Sequence, residues 1–308
     1  MGTTSSMSTS NSTPPTRPAS HAGSWYTNSP NELTSELTSY LSTPRNIPPP
    51  SPAPPSTPTP PRALITPHAG YSYSGPTAGC AYYHGLRERL LSPSPTPPLE
   101  TIYVLYPSHH AYIEGVGISP CGHLSTPLGP LSVSLPLLSS LSSSIAAAGV
   151  PVQTITVDAD SKEHSGEMQY PFIRHLLTAT SSTSVKIVPL MVGRSSPGLS
   201  AALSPYILSP SAFTVVSTDF CHWGERFSYA PFSPPPPDVT LEEAIARLDG
   251  EGMSAVEALC TGGFCRYLER TGNTICGREP VKAFMGAQEG GEGGRFEWLR
   301  YERSGEVR

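Results

Sequence analysis

Apolar residues recur along this chain in two rhythms. Short β-branched and apolar runs at Ala63–Thr66, Thr101–Tyr106, Gly115–Ser119, Thr154–Val157, Val185–Val192 and Phe213–Ser217 predict strands. Between them, apolar positions three and four apart predict helices over Pro76–Leu90, Leu135–Ala148, Gly166–Leu177, Leu199–Leu208, Leu241–Leu248 and Met253–Arg270. An earlier helix opens at Ser29-Pro30-Asn31-Glu32, a capping box with proline in the first turn. Leu33, Leu37, Tyr40 and Leu41 keep one apolar face on it. A further helical segment is expected at Pro280–Ala287 and a strand-like run at Arg295–Tyr301. Strands alternating with helices indicate an α/β fold whose central sheet, mostly parallel or mixed, is flanked by helices.

The polar intervals set the domain organisation. Residues 1–19 are Ser/Thr/Pro-rich and are expected to be a disordered tail. Residues 20–308 read as one domain with Pro-rich loop insertions at 47–61, 92–98 and 233–237, because no insertion separates two self-sufficient cores. Proline supplies 37 of 308 residues. Without the Ser/Thr/Pro tracts, roughly 250 residues remain, enough for one well-buried domain.

Charge narrows the function. The formal net charge of −5 comes without acidic or basic blocks, whereas a phosphate-driven nucleic-acid binder clusters Lys and Arg. Six cysteines (Cys80, Cys121, Cys221, Cys260, Cys265, Cys276) form no C-x-x-C and read as reduced thiols of an intracellular protein. No apolar window is long enough to span a bilayer, and the N-terminus lacks a charged region followed by an apolar stretch. Met1-Gly2-Thr3-Thr4-Ser5-Ser6 matches the loose N-myristoylation pattern, which a Ser/Thr-rich segment yields cheaply. The expected compartment is the cytoplasm, with the nucleus open.

Three of the expected strands share a feature. Ala63–Thr66 runs into Pro67-His68-Ala69-Gly70-Tyr71, Thr101–Tyr106 into Pro107-Ser108-His109-His110, and Phe213–Ser217 into Thr218-Asp219-Phe220-Cys221-His222. In an open parallel sheet the C-terminal strand ends converge on one crevice, where ligands bind. Three histidines delivered there can meet around one ion, and imidazole is the commonest neutral ligand for transition metals. A single histidine in such a place is more often a surface or hydrogen-bonded core residue. Three at equivalent positions favour a site, although the pattern does not choose the metal.

Six blocks, in order, resemble the Memo family: Ser20-His21-Ala22-Gly23-Ser24-Trp25-Tyr26, Pro67-His68-Ala69-Gly70-Tyr71, Pro107-Ser108-His109-His110, Glu163-His164-Ser165, Asp219-Phe220-Cys221-His222-Trp223-Gly224 and Asn273-Thr274-Ile275-Cys276-Gly277. That resemblance implies a fold related to class III extradiol dioxygenases, which hold Fe(II) with two histidines and a glutamate and use another histidine as acid/base. Carried over, it implies that His68 and His109 are metal ligands, that Cys276 stands where the glutamate would be, and that His222 is the acid/base. A thiolate is softer than a carboxylate, so this set implies copper first and iron second, with redox chemistry rather than ring cleavage. If the protein is an enzyme, it is then a metal-dependent oxidoreductase.

The remaining candidates stay open at this stage. Asp219 either supports a ligand imidazole or caps the turn that follows it. Cys276 is either a metal-bound thiolate, favoured by the helix expected behind it, or a buried inert thiol. His164 reads first as part of a helix start that Ser165 caps, although the family places its block near the cleft. His110 is expected to face away from its neighbour's target, His84, His123 and His175 to be surface residues, and Cys221 and Cys80 to be small buried hydrophobes. Tyr106 departs from the family, which usually carries glycine there, and is expected to bring a bulky side chain close to the pocket. The family pattern continues past Arg308 to another strand, so a shortened sheet edge or a truncated gene model is expected. Two other readings stand beside the redox protein: a true Fe(II) dioxygenase acting on a small aromatic diol, and a non-catalytic module whose cleft takes a peptide or phosphate-bearing ligand in signalling.

Overall fold

The computed structural model describes residues 13–47, 60–93, 97–235, 237–289 and 294–305. Its strands are β1 (Thr16–Arg17), β2 (Ala63–Thr66), β3 (Thr101–Tyr106), β4 (Val116–Ile118), β5 (His123–Leu124), β6 (Leu131–Ser132), β7 (Val152–Thr154), β8 (Lys186–Val192) and β9 (Ala212–Ser217). Six of them form one sheet in the order β2-β9-β3-β8-β4-β7, and β1-β5-β6 form a small second sheet. Every pairing in the large sheet is parallel except β4 with β8. Helices flank it, so the fold is α/β with a mixed sheet, consistent with a class III extradiol dioxygenase-like architecture. Among the described residues, no helix is long and apolar enough to cross a membrane.

Strand composition explains the order. All six positions of both β3 and β9 are buried, as central parallel strands covered on both faces require. β2 lies at one edge of the order, and its burial alternates. Helix Pro30–Leu41 is capped by Ser29, whose side chain accepts from the Glu32 N–H, and it buries Leu33, Leu37 and Leu41.

Several boundaries differ from the expectation, each for a local reason. The helix expected from Pro76 begins at Tyr71 and passes into a π-turn at Tyr83–Arg87. Its packing face is glycine rather than an apolar stripe. A Cβ on Gly79 would stand 2.2 Å from the Tyr40 carbonyl oxygen, so the pattern there is invisible to hydrophobic periodicity. β7 ends at Thr154 because Thr156 caps the next helix, accepting from the Ala159 N–H at 3.1 Å. Helix Leu241–Glu257 runs through Gly250 and Gly252, where a break was expected, and Gly252 receives the Tyr267 ring. Arg295–Tyr301 is not a strand. It lies across the domain, with Leu299 O accepting from the N–H groups of Asn46 and Ile47 and the Tyr301 hydroxyl donating to Asp249 at 2.8 Å.

The tail expected over residues 1–19 needs correction at its end. Residues 1–12 lie outside the described residues, but Thr16–Arg17 is a strand paired with His123–Leu124. Arg17 is 1% exposed. Its guanidinium pairs with Asp160 at 3.2 Å and Glu167 at 2.6 Å, and donates to three carbonyls, those of Pro18, Asp160 and Glu163. Composition cannot register one arginine whose carboxylates lie about half the chain away. Of the expected Pro-rich insertions, residues 48–59, 94–96 and 236 lie outside the described residues. Tyr106 does not crowd the cleft. Its side chain is buried beneath, where Gly166 makes room for it.

Candidate metal centre

β2, β9 and β3 are neighbours in the sheet and run parallel, so their C-terminal ends meet along one rim. The chain leaving β2 carries His68, the chain leaving β3 carries His109, and the chain leaving β9 carries Asp219 and His222. Cys276 comes from the loop after helix Thr261–Thr271. That loop reaches β9 because Gly277 has no side chain: a Cβ there would stand 2.3 Å from Thr218. The Gly277 N–H then donates to Thr218 Oγ1 at 3.0 Å. All five residues line one cleft of about 3060 Å³, together with His164 and Trp25.

Hydrogen bonds define which nitrogen of each ring is free. Ser217 Oγ donates to Ser165 O and receives Gln169 Nε2, so toward His68 Nδ1, at 2.8 Å, it acts as acceptor. His68 therefore carries its proton on Nδ1 and presents a bare Nε2. The buried Glu163 carboxylate accepts from His109 Nδ1 at 2.9 Å and from the His109 backbone N–H at 2.6 Å. His222 Nδ1 donates to Thr274 O at 3.0 Å. In each ring the opposite nitrogen, Nε2, is left for a ligand or a proton, the arrangement seen when a carboxylate, hydroxyl or carbonyl orients a metal-binding imidazole.

Two groups of donor atoms result. The ring nitrogens of His68, His109 and His164 lie within 4.8 Å of one another, as do donors from His68, Asp219 and Cys276. The groups share His68 alone, and neither joins His109 to Cys276, so the expected set of His68, His109 and Cys276 is not gathered as one group in the ion-free protein. His68 Nε2 stands 3.1 Å from Cys276 Sγ and 3.8 Å from Asp219 Oδ2. A nitrogen and a sulfur on one tetrahedral ion stand about 3.6 Å apart at ordinary bond lengths. The observed pair is close to that spacing, and the donor types suit a borderline or soft cation.

The electrostatics favour neutral donors. Burial, opposed by Asp219, holds His68 down to about 4, and burial with the neighbouring His68 holds His164 down to about 3. Both rings are neutral at pH 7. Burial followed by the Asp219 charge pushes the Cys276 thiol well above its ordinary range. Without an ion, then, Cys276 is a thiol. The N-terminus of helix Arg278–Gln288 beside it does not reverse that. Glu163 is held far down, because the bonds from His109 and Ser165 outweigh its burial.

Asp219 sits beside the His68 imidazole, with Oδ2 3.8 Å from Nε2. It supports the backbone of His68, with Oδ1 accepting the His68 N–H at 2.9 Å, while Ser217 orients the ring. His164 was read from the sequence mainly as part of a helix start. The structure sets its ring 4.5 Å from His109, 5.4 Å from His68 and 4.4 Å from Trp25, centroid to centroid. Its placement in the Glu163-His164-Ser165 block was the only available signal. Ser217, a strand residue, offered none. His110 is exposed and His123 lies on β5, while His84 pairs with Glu88 at 3.0 Å. His175 is half-buried, Cys80 fully buried and Cys221 intermediate.

Comparison with known proteins gives one answer. The Memo-like protein family profile matches residues 17–308. The memo-1 homologue of Caenorhabditis elegans is 36% identical over 303 residues, covering 95% of this chain and 78% of the worm protein. Human MEMO1 is 35% identical over 304 residues, covering 95% of this chain and 92% of its own. A MEMO1 family protein of Schizosaccharomyces pombe is 35% identical over 313 residues, covering 94% of each chain. This chain belongs to the Memo family.

Proposed function

We propose that the protein is a transition-metal redox protein, with His68, His109 and Cys276 as ligands, copper as the preferred ion and iron second; His68 and Cys276 already stand together, and His109 would be drawn in on binding. One observation carries this reading: His68 Nε2, bare and fixed by Ser217, lies 3.1 Å from Cys276 Sγ at the rim where three parallel strands end. A bound copper or iron ion would supply one-electron chemistry there. The chain's own residues do the rest. Ser217 and Glu163 hold two imidazoles in the tautomer that leaves Nε2 available, and Asp219 fixes the turn that carries His68. His222, its Nδ1 held by Thr274 O, lines the same cleft and takes the role of proton acceptor or donor in this reading. A soft thiolate beside imidazoles favours copper over the hard-ligand chemistry of a dioxygenase iron site.

The cleft is far larger than an ion needs. Small-molecule sites usually occupy about 300–1,000 Å³. Its volume, about three times the upper end of that range, leaves room for a further element of the reading, a small-molecule or peptide ligand over the histidines. The proposed place of action is the cytoplasm, the nucleus included. Elemental analysis of untagged protein, purified without chelators, tests the metal. Copper or iron near one equivalent is expected; zinc alone, or no metal, would overturn the redox reading.

A further inference from the structure

His164 is the exception among the histidines of the cleft. His68, His84, His109 and His222 each have Nδ1 in a hydrogen bond, to Ser217, Glu88, Glu163 and Thr274 respectively. His164 Nδ1 is buried and has no partner. The reason is visible in its neighbour. Glu163 Oε1, 3.6 Å from His164 Nδ1, already takes the His109 ring N–H, the Ser165 N–H and the Ser165 hydroxyl. Leaving a buried polar atom unpaired is costly, and such atoms call for an explanation such as an ion.

The ring is nevertheless held in place. Trp25 packs at 4.4 Å on it, tilted by 33°, and His109 at 4.5 Å, tilted by 30°. Stacking thus fixes the imidazole while leaving its nitrogens uncommitted. One of them lies within 4.8 Å of the donor atoms of both His68 and His109. Three nitrogens on one tetrahedral ion stand about 3.4 Å apart, so small ring rotations would draw the set together.

From this geometry we infer that His164 is a metal donor and that His68, His109 and His164 form an all-nitrogen site for a borderline divalent ion, independent of Cys276. The inference rests on reading the cleft as a metal centre and adds a second set of donors that turns on the same His68. Imidazoles alone suit divalent first-row ions, whereas the thiol side suits softer ones. The cleft would then choose its donors by the softness of the ion.

Cobalt(II) is the probe, because its absorption spectrum reports both binding and sulfur ligation. The full chain is compared with C276A, C276A/H164A and C276A/H164F, the last keeping an aromatic ring between Trp25 and His109. C276A is expected to bind one equivalent of cobalt with no sulfur-to-metal band. Both double variants should then bind on the order of 100-fold more weakly or worse, since even supporting residues cost 10–100-fold. Unchanged circular dichroism certifies their fold. Cobalt binding by C276A/H164F as tight as by C276A would overturn the inference, as would failure of C276A to bind cobalt at all. These outcomes are read without copper, iron or turnover. A purified protein lacking copper and iron would therefore sink the redox reading without touching this one.

Discussion

His68 Nε2 and Cys276 Sγ stand 3.1 Å apart, although 208 residues separate them in the chain. The contact joins the end of an edge strand to a loop admitted by Gly277, and both partners are uncharged at neutral pH in the ion-free protein. Binding an ion through this pair must expel the thiol proton. Copper(I) affinity is therefore expected to rise about tenfold per pH unit between about pH 6 and 8. His68, held down to about 4, adds no competing proton in that range. Competition against a copper chelator across this range measures the slope. A pH-independent affinity would show that the thiolate is not a ligand, and C276S should show that flat profile.

Ser217 fixes the tautomer of His68. Ser217→Ala should weaken metal binding by about 10–100-fold while leaving the secondary structure unchanged. Metal competition assays check this. Full affinity in the variant would mean that the imidazole is oriented by something other than Ser217.

Folding itself should report on the buried histidines. His68 falls from 6.5 to about 4 and His164 from 6.5 to about 3, chiefly through burial. The unfolded chain consequently binds more protons than the folded one below pH 6.5. Stability of the metal-free protein is expected to be full above about pH 7 and to fall on acidification through pH 6.5 toward 4. His68 alone contributes about 3 kcal/mol to that loss, at ~1.36 kcal/mol per pH unit. Urea unfolding at a series of pH values measures it, and a stability that held constant down to pH 4.5 would rule this account out.

Arg17 joins Asp160 and Glu167 in a buried network. Arg17→Met removes the cation and strands two carboxylates, which should cost about 3–5 kcal/mol. A loss below about 1 kcal/mol in urea would contradict the structural role given to this strand.

The sequence displayed the strands that carry the site more clearly than the groups that tune it. β3 and β9 are continuous apolar runs because both faces of the sheet are covered, so their ends, and the histidines after them, were legible. The supporting atoms were not. Ser217 looks like any strand-terminal serine until the fold brings Ser165, Gln169 and His68 around it. Glu163 and His164 adjoin in sequence, yet only the tertiary structure shows that one saturates its oxygen on other donors and leaves the other unpaired. Helix Tyr71–Tyr82 was mis-started for the opposite reason, since its contact with Tyr40 depends on missing side chains. Arg295–Tyr301 has a strand's composition but contacts the domain through Leu299 O, Trp298 and Tyr301 rather than a strand ladder.

His68 is the one residue common to both donor groups, and the central claim stands on it. The direct test is metal stoichiometry and affinity in the parent and in His68→Ala, with copper(I) and cobalt(II) titrated separately and the fold followed by circular dichroism. The parent should bind each ion, and His68→Ala should lose both by on the order of 100-fold or more while staying folded. Parental affinity for either ion in folded His68→Ala would contradict a metal centre built around this residue.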